Sequence, residues 1–239
     1  MQRPAFYALA PGGWRDLVTL LHPPYTAWHL SYVALGAAVA PVLHTDRLAA
    51  ALGAFFLGVG VCAHALDELN GRPLRTRLSD RTLIGLAAVS LAGAVAIGVV
   101  GVVTVSPSLA VFVAAGAFIV LAYNLELFGG RFHSDAWFAL AWGAFPALTS
   151  YWANALSLRV PGVALTAGCF ALSLAQRRLS TPVRELRRRT LHVNGTQTLA
   201  DGTEVQLTAE RLAGPLDGAL RALAMAIVLI AVAAIWSRL

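Results

Sequence analysis

His64, Asp67 and Glu68, followed by Asn70, Arg72 and Arg75, form the first of three polar clusters in an otherwise apolar chain. His64, Asp67 and Gly71 share a helical face at i, i+3 and i+7, with Glu68 beside it. A carboxylate at the end of an apolar stretch, followed within two turns by two arginines, suits a magnesium–diphosphate complex. Mg2+ takes oxygen ligands from carboxylate and phosphate, and guanidinium groups neutralise the remaining charge. On this reading Asp67 and Glu68 hold Mg2+, while His64, Asn70, Arg72 and Arg75 contact the substrate. The competing reading is a helix-terminal charge cluster that anchors a span at the headgroups.

The second cluster runs from Tyr123, Asn124 and Glu126 to Arg131, His133, Ser134 and Asp135. Glu126, His133 and Asp135 are expected to complete a catalytic site with Asp67, binding metal or deprotonating an acceptor, with Tyr123 and Asn124 against the substrate. Ser134 or Asp135 serves equally well as the N-cap of the next helix. The third cluster, Gln176 to Thr181, has phosphate-binding character, with Arg178 as the gripping residue. Arginines are also needed there simply to anchor a span. Gly-x-Ser-x-Gly, Walker-A and dinucleotide-binding fingerprints are absent, which leaves hydrolase, nucleotide and Rossmann chemistry without support.

Composition dictates what must position these groups. Of 239 residues, 58% are hydrophobic and 13% charged; soluble domains carry roughly 25% charged residues. Apolar stretches long enough to cross a hydrocarbon core of about 30 Å must be helical, because backbone groups find no water partner in lipid. The fold expected is all-α, a polytopic transmembrane bundle of about seven spans forming one domain over residues 1–239. The spans fall near 26–43, 48–66, 82–104, 108–125, 136–155, 160–176 and 216–236. All 18 basic residues are arginine. Placing the N-terminus in the cytoplasm leaves only Arg47, Arg159 and Arg238 outside, the arrangement that the positive-inside rule favours. The expected location is a bacterial-type inner membrane, without a cleavable signal at the N-terminus. The same topology accounts for the net charge of +6, so no nucleic-acid partner is implied. Cys62 and Cys169, both inside apolar stretches, read as buried free thiols, and His22 and His44 as interfacial residues.

Residues 177–215 are expected to form a cytoplasmic insertion. Arg184 to Arg189 suit an interfacial helix on anionic lipid. Asn194-Gly195 and Asp201-Gly202, between alternating apolar residues, signal a small β-hairpin over 191–208.

In the order of its elements the chain resembles the UbiA-type superfamily of intramembrane prenyltransferases. His22-Pro23-Pro24-Tyr25 leads into a first span ending Leu35-Gly36-Ala37-Ala38, much like that family's opening helix. Asp67 with Arg72-Pro73-Leu74 is similar to its first aspartate-rich motif and the Arg-Pro that follows. Ala141-Trp142-Gly143-Ala144-Phe145-Pro146 looks like its Gly-x-x-Pro helix. The similarity covers about residues 20–180. Departures are Ala63 in the place of the motif's asparagine, Gly71 in the place of its next aspartate, and no carboxylate in Gln176–Thr181. The resemblance implies a helical cavity open to cytoplasm and lipid and suited to a polyprenyl diphosphate, with Mg2+ assisting departure of the diphosphate. The activity it implies is transfer of a polyprenyl group to an acceptor, or terpene cyclisation on the same scaffold. A non-catalytic protein that binds an isoprenoid lipid or scaffolds a protein partner is the alternative, and metal-dependent chemistry on a lipid phosphate is a third reading.

Overall fold

A computed structural model describes residues 4–239 and is mostly helical. A short helix α1 (Trp14–Leu20) precedes α2 (Pro23–Ala38). Helix α3 (Thr45–Leu69) is a continuous rod with a π-helical stretch, Phe56–Ala63, in its second half. Next come α4 (Asp80–Thr104) and α5 (Leu109–Asn124). Helix α6 (135–155) contains a second π-helical stretch, Leu140–Ala144. Helix α7 (Val160–Arg188) is followed by strands β1 (Thr196–Thr198) and β2 (Glu204–Gln206), then α8 (Ala209–Trp236).

Three of these helices, α3, α4 and α8, are long and apolar enough to cross a membrane. Their outward faces carry large apolar side chains, among them Val89, Val103, Met225 and Val232. Such patches belong against lipid rather than water. The chain is a membrane protein.

The rods pack in two groups joined by α6. One core gathers α3, α4 and α5 around Cys62, Leu83, Val120 and Trp142; the other gathers α2, α7 and α8 around Trp28, Tyr32, Cys169 and Ile227. Both cysteines are free and buried. Glycine sets two of the close approaches, since lipid offers helices no hydrophobic drive to associate and contact distance matters most. A Cβ at Gly36 would lie 2.2 Å from the Ala147 carbonyl oxygen, and one at Gly143 would lie 2.5 Å from the Cys169 oxygen.

Capping fixes where the rods begin. Ser79 Oγ accepts from Thr82 N at the start of α4, and Thr208 Oγ1 from Arg211 N at the start of α8. Ser134 Oγ accepts from Trp137 N, so Ser134 takes the N-cap of α6 and leaves Asp135 for other work. The hairpin forms in the expected region, with Thr196 opposite Gln206. Asp201-Gly202 makes its turn: Asp201 Oδ1 accepts from Thr203 N and Gly202 has φ +84°. Asn194-Gly195 lies at the far end instead, where Leu207 N donates to the Gly195 carbonyl.

One boundary departs from expectation. Helix α7 does not stop near residue 176 but runs unbroken to Arg188, past Pro182. Its charged final turns pack against α8 through Val183 and Leu220. The segment expected to lie flat on lipid is therefore part of the bundle, because Leu179, Val183 and Leu186 give it an apolar face to bury.

Candidate functional site

Where the two helix groups diverge, at the end of the bundle holding the α3–α4 and α5–α6 loops, lies a polar chamber of about 150 Å³. Helix α3 contributes His64 and Asp67 one turn apart on one face, α5 contributes Tyr123 and Asn124, and the α5–α6 loop contributes His133. Two clusters far apart in sequence thus meet, and five residues expected in the site share one cavity.

The imidazoles are oriented by backbone carbonyls, which can only accept. His64 Nδ1 donates to the Gly60 carbonyl at 3.0 Å, His133 Nδ1 to that of Tyr123 at 3.2 Å, and His29 Nδ1 to that of Trp142 at 2.8 Å. In the neutral ring each Nε2 is left as an acceptor. His22 stacks on His64 with ring centroids 4.0 Å apart, and its Nε2 is buried without a partner among the described residues. Burial, reinforced by His64 and Arg188, pushes His22 well below the ordinary imidazole value of 6.5. The N-terminal segment covers the chamber: Tyr7 packs against His22 and Tyr25. Burial, with Tyr25 adding to it, raises the Tyr7 phenol, which keeps it a neutral donor.

The opposite wall is the face of α7 that carries Gln176, Arg177, Ser180, Arg184 and Arg188 at helical spacing. Arg177 Nε donates to Asp135 Oδ1 at 2.9 Å and its guanidinium lies over the Phe138 ring. Arg184 Nη2 donates to Thr181 Oγ1 at 3.2 Å and Arg188 Nε to the Pro4 carbonyl at 3.3 Å. Neither has a carboxylate partner among the described residues. Burial first, then the neighbouring Arg177 and Arg188, pulls Arg184 down to about 10. Gln176 is 3% exposed, and its Oε1 is buried with no partner among the described residues.

Other expected residues lie elsewhere. Glu68 is fully buried behind the chamber, where Oε2 accepts from Leu74 N at 2.9 Å and Oε1 from Thr76 N and Thr76 Oγ1 at 2.8 and 2.9 Å. Those donors leave it stapling the α3–α4 loop rather than facing a metal. Arg72 forms an ion pair with Asp80, and Arg75 is exposed on the same loop. Asn70 Nδ2 donates to Glu126 Oε1 at 3.2 Å at the surface, with Glu126 4.0 Å behind His133 Nδ1. Asp135 reaches the chamber only through Arg177. Arg178 is exposed on the outer face of α7, one residue out of phase.

Sequence reasoning passed over His29 and Tyr7, and gave Arg184 and Arg188 to an interfacial helix and His22 to the membrane interface rather than to the site. Continuing the helical spacing from Ser173 and Gln176 through Ser180 would have found the two arginines. Nothing local marks Tyr7 or His29, whose role depends on contacts across the bundle.

The donor set does not make a resident metal site. Among the described residues, Asp67 is the one carboxylate in the chamber without a hydrogen bond or ion pair, since Asp217 is paired with Arg187. Nor do any three His, Cys, Asp or Glu side chains gather as ligands among those residues.

A second cavity of about 160 Å³ adjoins the chamber and is almost wholly apolar, running between α3, α4, α5 and α6. Val59 and Trp142 line both cavities. Both sit in the π-helical stretches, which recur at functional sites because the extra residue redirects side chains and frees carbonyls. Leu91 to Gly101 of α4 border the groove, about 15 Å at 1.5 Å per residue. Its far end reaches Arg47, which donates to the Ala153 carbonyl.

Left-handed backbone occurs at His22, which lines the chamber, and at Arg72, Arg75, Glu126 and Phe128 in the two loops at that end of the bundle, all with φ between +46° and +58°. Strain of this kind persists where surrounding structure holds it and clusters at functional sites. Comparison with known proteins finds no family, no curated protein and no solved structure that matches the chain.

Proposed function

We propose that the protein is a UbiA-like membrane prenyltransferase, which binds a polyprenyl diphosphate and moves its polyprenyl group to an acceptor. The observation that carries this reading is the pairing of the two cavities. A chamber rich in guanidinium and imidazole lies beside an apolar groove, with Val59 and Trp142 lining both, and the pair matches a molecule with an anionic head and a long hydrocarbon tail. The diphosphate lies against Arg177, Arg184 and Arg188, and the tail lies in the groove. The acceptor's nucleophilic oxygen or carbon bonds to the allylic carbon while the carbon–oxygen bond to diphosphate breaks. The guanidiniums take up the charge that develops on the leaving group, and the acceptor's proton passes to Asp67, beside His64. With one uncommitted carboxylate, the chamber offers the expected Mg2+ few ligands.

Orientation follows from charge. Arg72, Arg177, Arg184 and Arg188 cluster at the chamber end, while Arg47 and Arg238 hold the other end through Ala153, Ala40 and Pro41. The positive-inside rule then turns the chamber to the cytoplasm of a bacterial-type inner membrane. The seven rods, including the shorter α2, α5, α6 and the apolar first part of α7, count as spans on this reading.

The test is incubation of the purified protein with geranylgeranyl diphosphate and a membrane lipid extract as acceptor source. Pyrophosphate release and a prenylated product are expected, and both are lost in Asp67→Asn. That no three metal ligands gather among the described residues favours one other reading, an isoprenoid-lipid-binding protein without catalysis. That reading predicts thermal stabilisation by the diphosphate with no pyrophosphate released.

A further inference from the structure

We infer that the chamber captures the phosphate head of its ligand by guanidinium groups alone, without a divalent cation. The inference rests on the reading of the chamber as a diphosphate site and concerns how that head is held.

Its basis is an inventory of charge. Among the described residues, the carboxylates near the chamber other than Asp67 have partners: Asp135 on Arg177, Asp217 on Arg187, Glu68 on the α3–α4 loop and Glu126 on Asn70 and, at 4.0 Å, His133. Mg2+ demands near-octahedral oxygen ligation, and one free carboxylate among three arginines gives it little to hold. The arginines are in the opposite condition. Arg184 and Arg188 each carry five N–H donors and commit one apiece within the described residues, to Thr181 Oγ1 and to the Pro4 carbonyl. A pair of guanidiniums one turn apart on a helix, lining the chamber with Asp67 nearby but with no ion pair among the described residues, has donors left for a bound anion. Arginine suits that anion because its planar fork bonds phosphate oxygens two at a time.

Two further features point the same way. The side-chain oxygen of Gln176 is buried on the same wall without a donor among the described residues. A buried polar atom left unmatched costs free energy unless a ligand or water completes it, and a protonated phosphate oxygen is such a donor. Arg184 also gives up its proton more readily than an ordinary arginine, because burial and the cations beside it oppose its charge. A bound anion reverses that penalty.

The experiment is calorimetric titration of the full-length protein in detergent with geranylgeranyl diphosphate, once in EDTA and once in MgCl2. The expected result is binding in EDTA within about threefold of that in MgCl2. Arg184→Gln and Arg188→Gln each weaken binding by about tenfold or more in both buffers, and Arg178→Gln leaves it unchanged. Thermal unfolding of each variant confirms that the fold survives, and inorganic pyrophosphate competing for the wild-type protein in EDTA places the contact at the head. Binding that appears in MgCl2 and vanishes in EDTA overturns the inference while leaving the proposed function standing. Absence of binding in both buffers removes the proposed function as well. Equal affinity of the Arg184, Arg188 and Arg178 variants also overturns the inference.

Discussion

Replacing Glu68 by glutamine separates a structural carboxylate from a catalytic one. Glu68 lies one residue from Asp67, and by sequence both suit a metal. In the structure its two oxygens receive three donors from the α3–α4 loop, at 2.8 to 2.9 Å, in a fully buried setting. An amide keeps the shape but turns an NH2 toward either Leu74 N or the Thr76 pair, so at least one donor meets another donor. Losing one hydrogen bond to a charged group costs about 1.5–3 kcal/mol, and the remaining bonds weaken when the charge goes. About 3 kcal/mol is the reasoned total. For a chain of this size each kcal/mol lowers Tm by about 2–4 °C, so Glu68→Gln should unfold about 6–12 °C below the wild type. The six tryptophans provide the fluorescence readout, and proteolysis should quicken within 70–79. Below its Tm the variant should bind geranylgeranyl diphosphate as the wild type does. A Tm within about 2 °C of wild type, together with lost binding, would refute the staple and return Glu68 to the ligand set.

Two further outcomes test the packing around the site. In the unfolded chain His22 titrates near 6.5, whereas in the fold burial holds its value well below that. Between the two values the unfolded state binds more protons, so stability is full above about pH 6.5 and drains as pH falls below it. Tm should fall by several degrees from pH 7.5 to 5.5, and less steeply in His22→Phe; parallel pH profiles would refute this. Gly36→Val places a Cβ 2.2 Å from the Ala147 oxygen. Forcing α2 from α6 should cost about 1–3 kcal/mol, and a wild-type Tm would show that the contact is not close in solution.

Asp67, His64, Tyr123, Asn124 and His133, which share the chamber, were legible as candidates because polar groups at the end of an apolar helix are costly near lipid and persist where they serve a function. The same reasoning gave equal weight to Glu68, Arg72 and Arg178, which the structure turns to a loop, to Asp80 and to the outer face of α7. Spacing cannot separate such cases. Asp67 and Glu68 are adjacent on a helix and point about 100° apart, so which one meets the chamber depends on what packs against each face.

Composition and hydropathy by themselves determined a helical membrane protein, since lipid leaves an apolar chain no other way to satisfy its backbone. The Asp201-Gly202 turn was equally local, because glycine alone takes its φ without cost. Tertiary structure decided the rest. The sequence marks the charges of α7 as a place for a helix to leave the bundle. Burial of Val183 beside Leu220 instead keeps that helix intact to Arg188, and the two arginines facing the chamber are there for that reason. Such a choice rests on contacts of Val183 with α8, whose partnering residues Ala213 and Leu220 lie far downstream in the chain, and no local pattern carries that information.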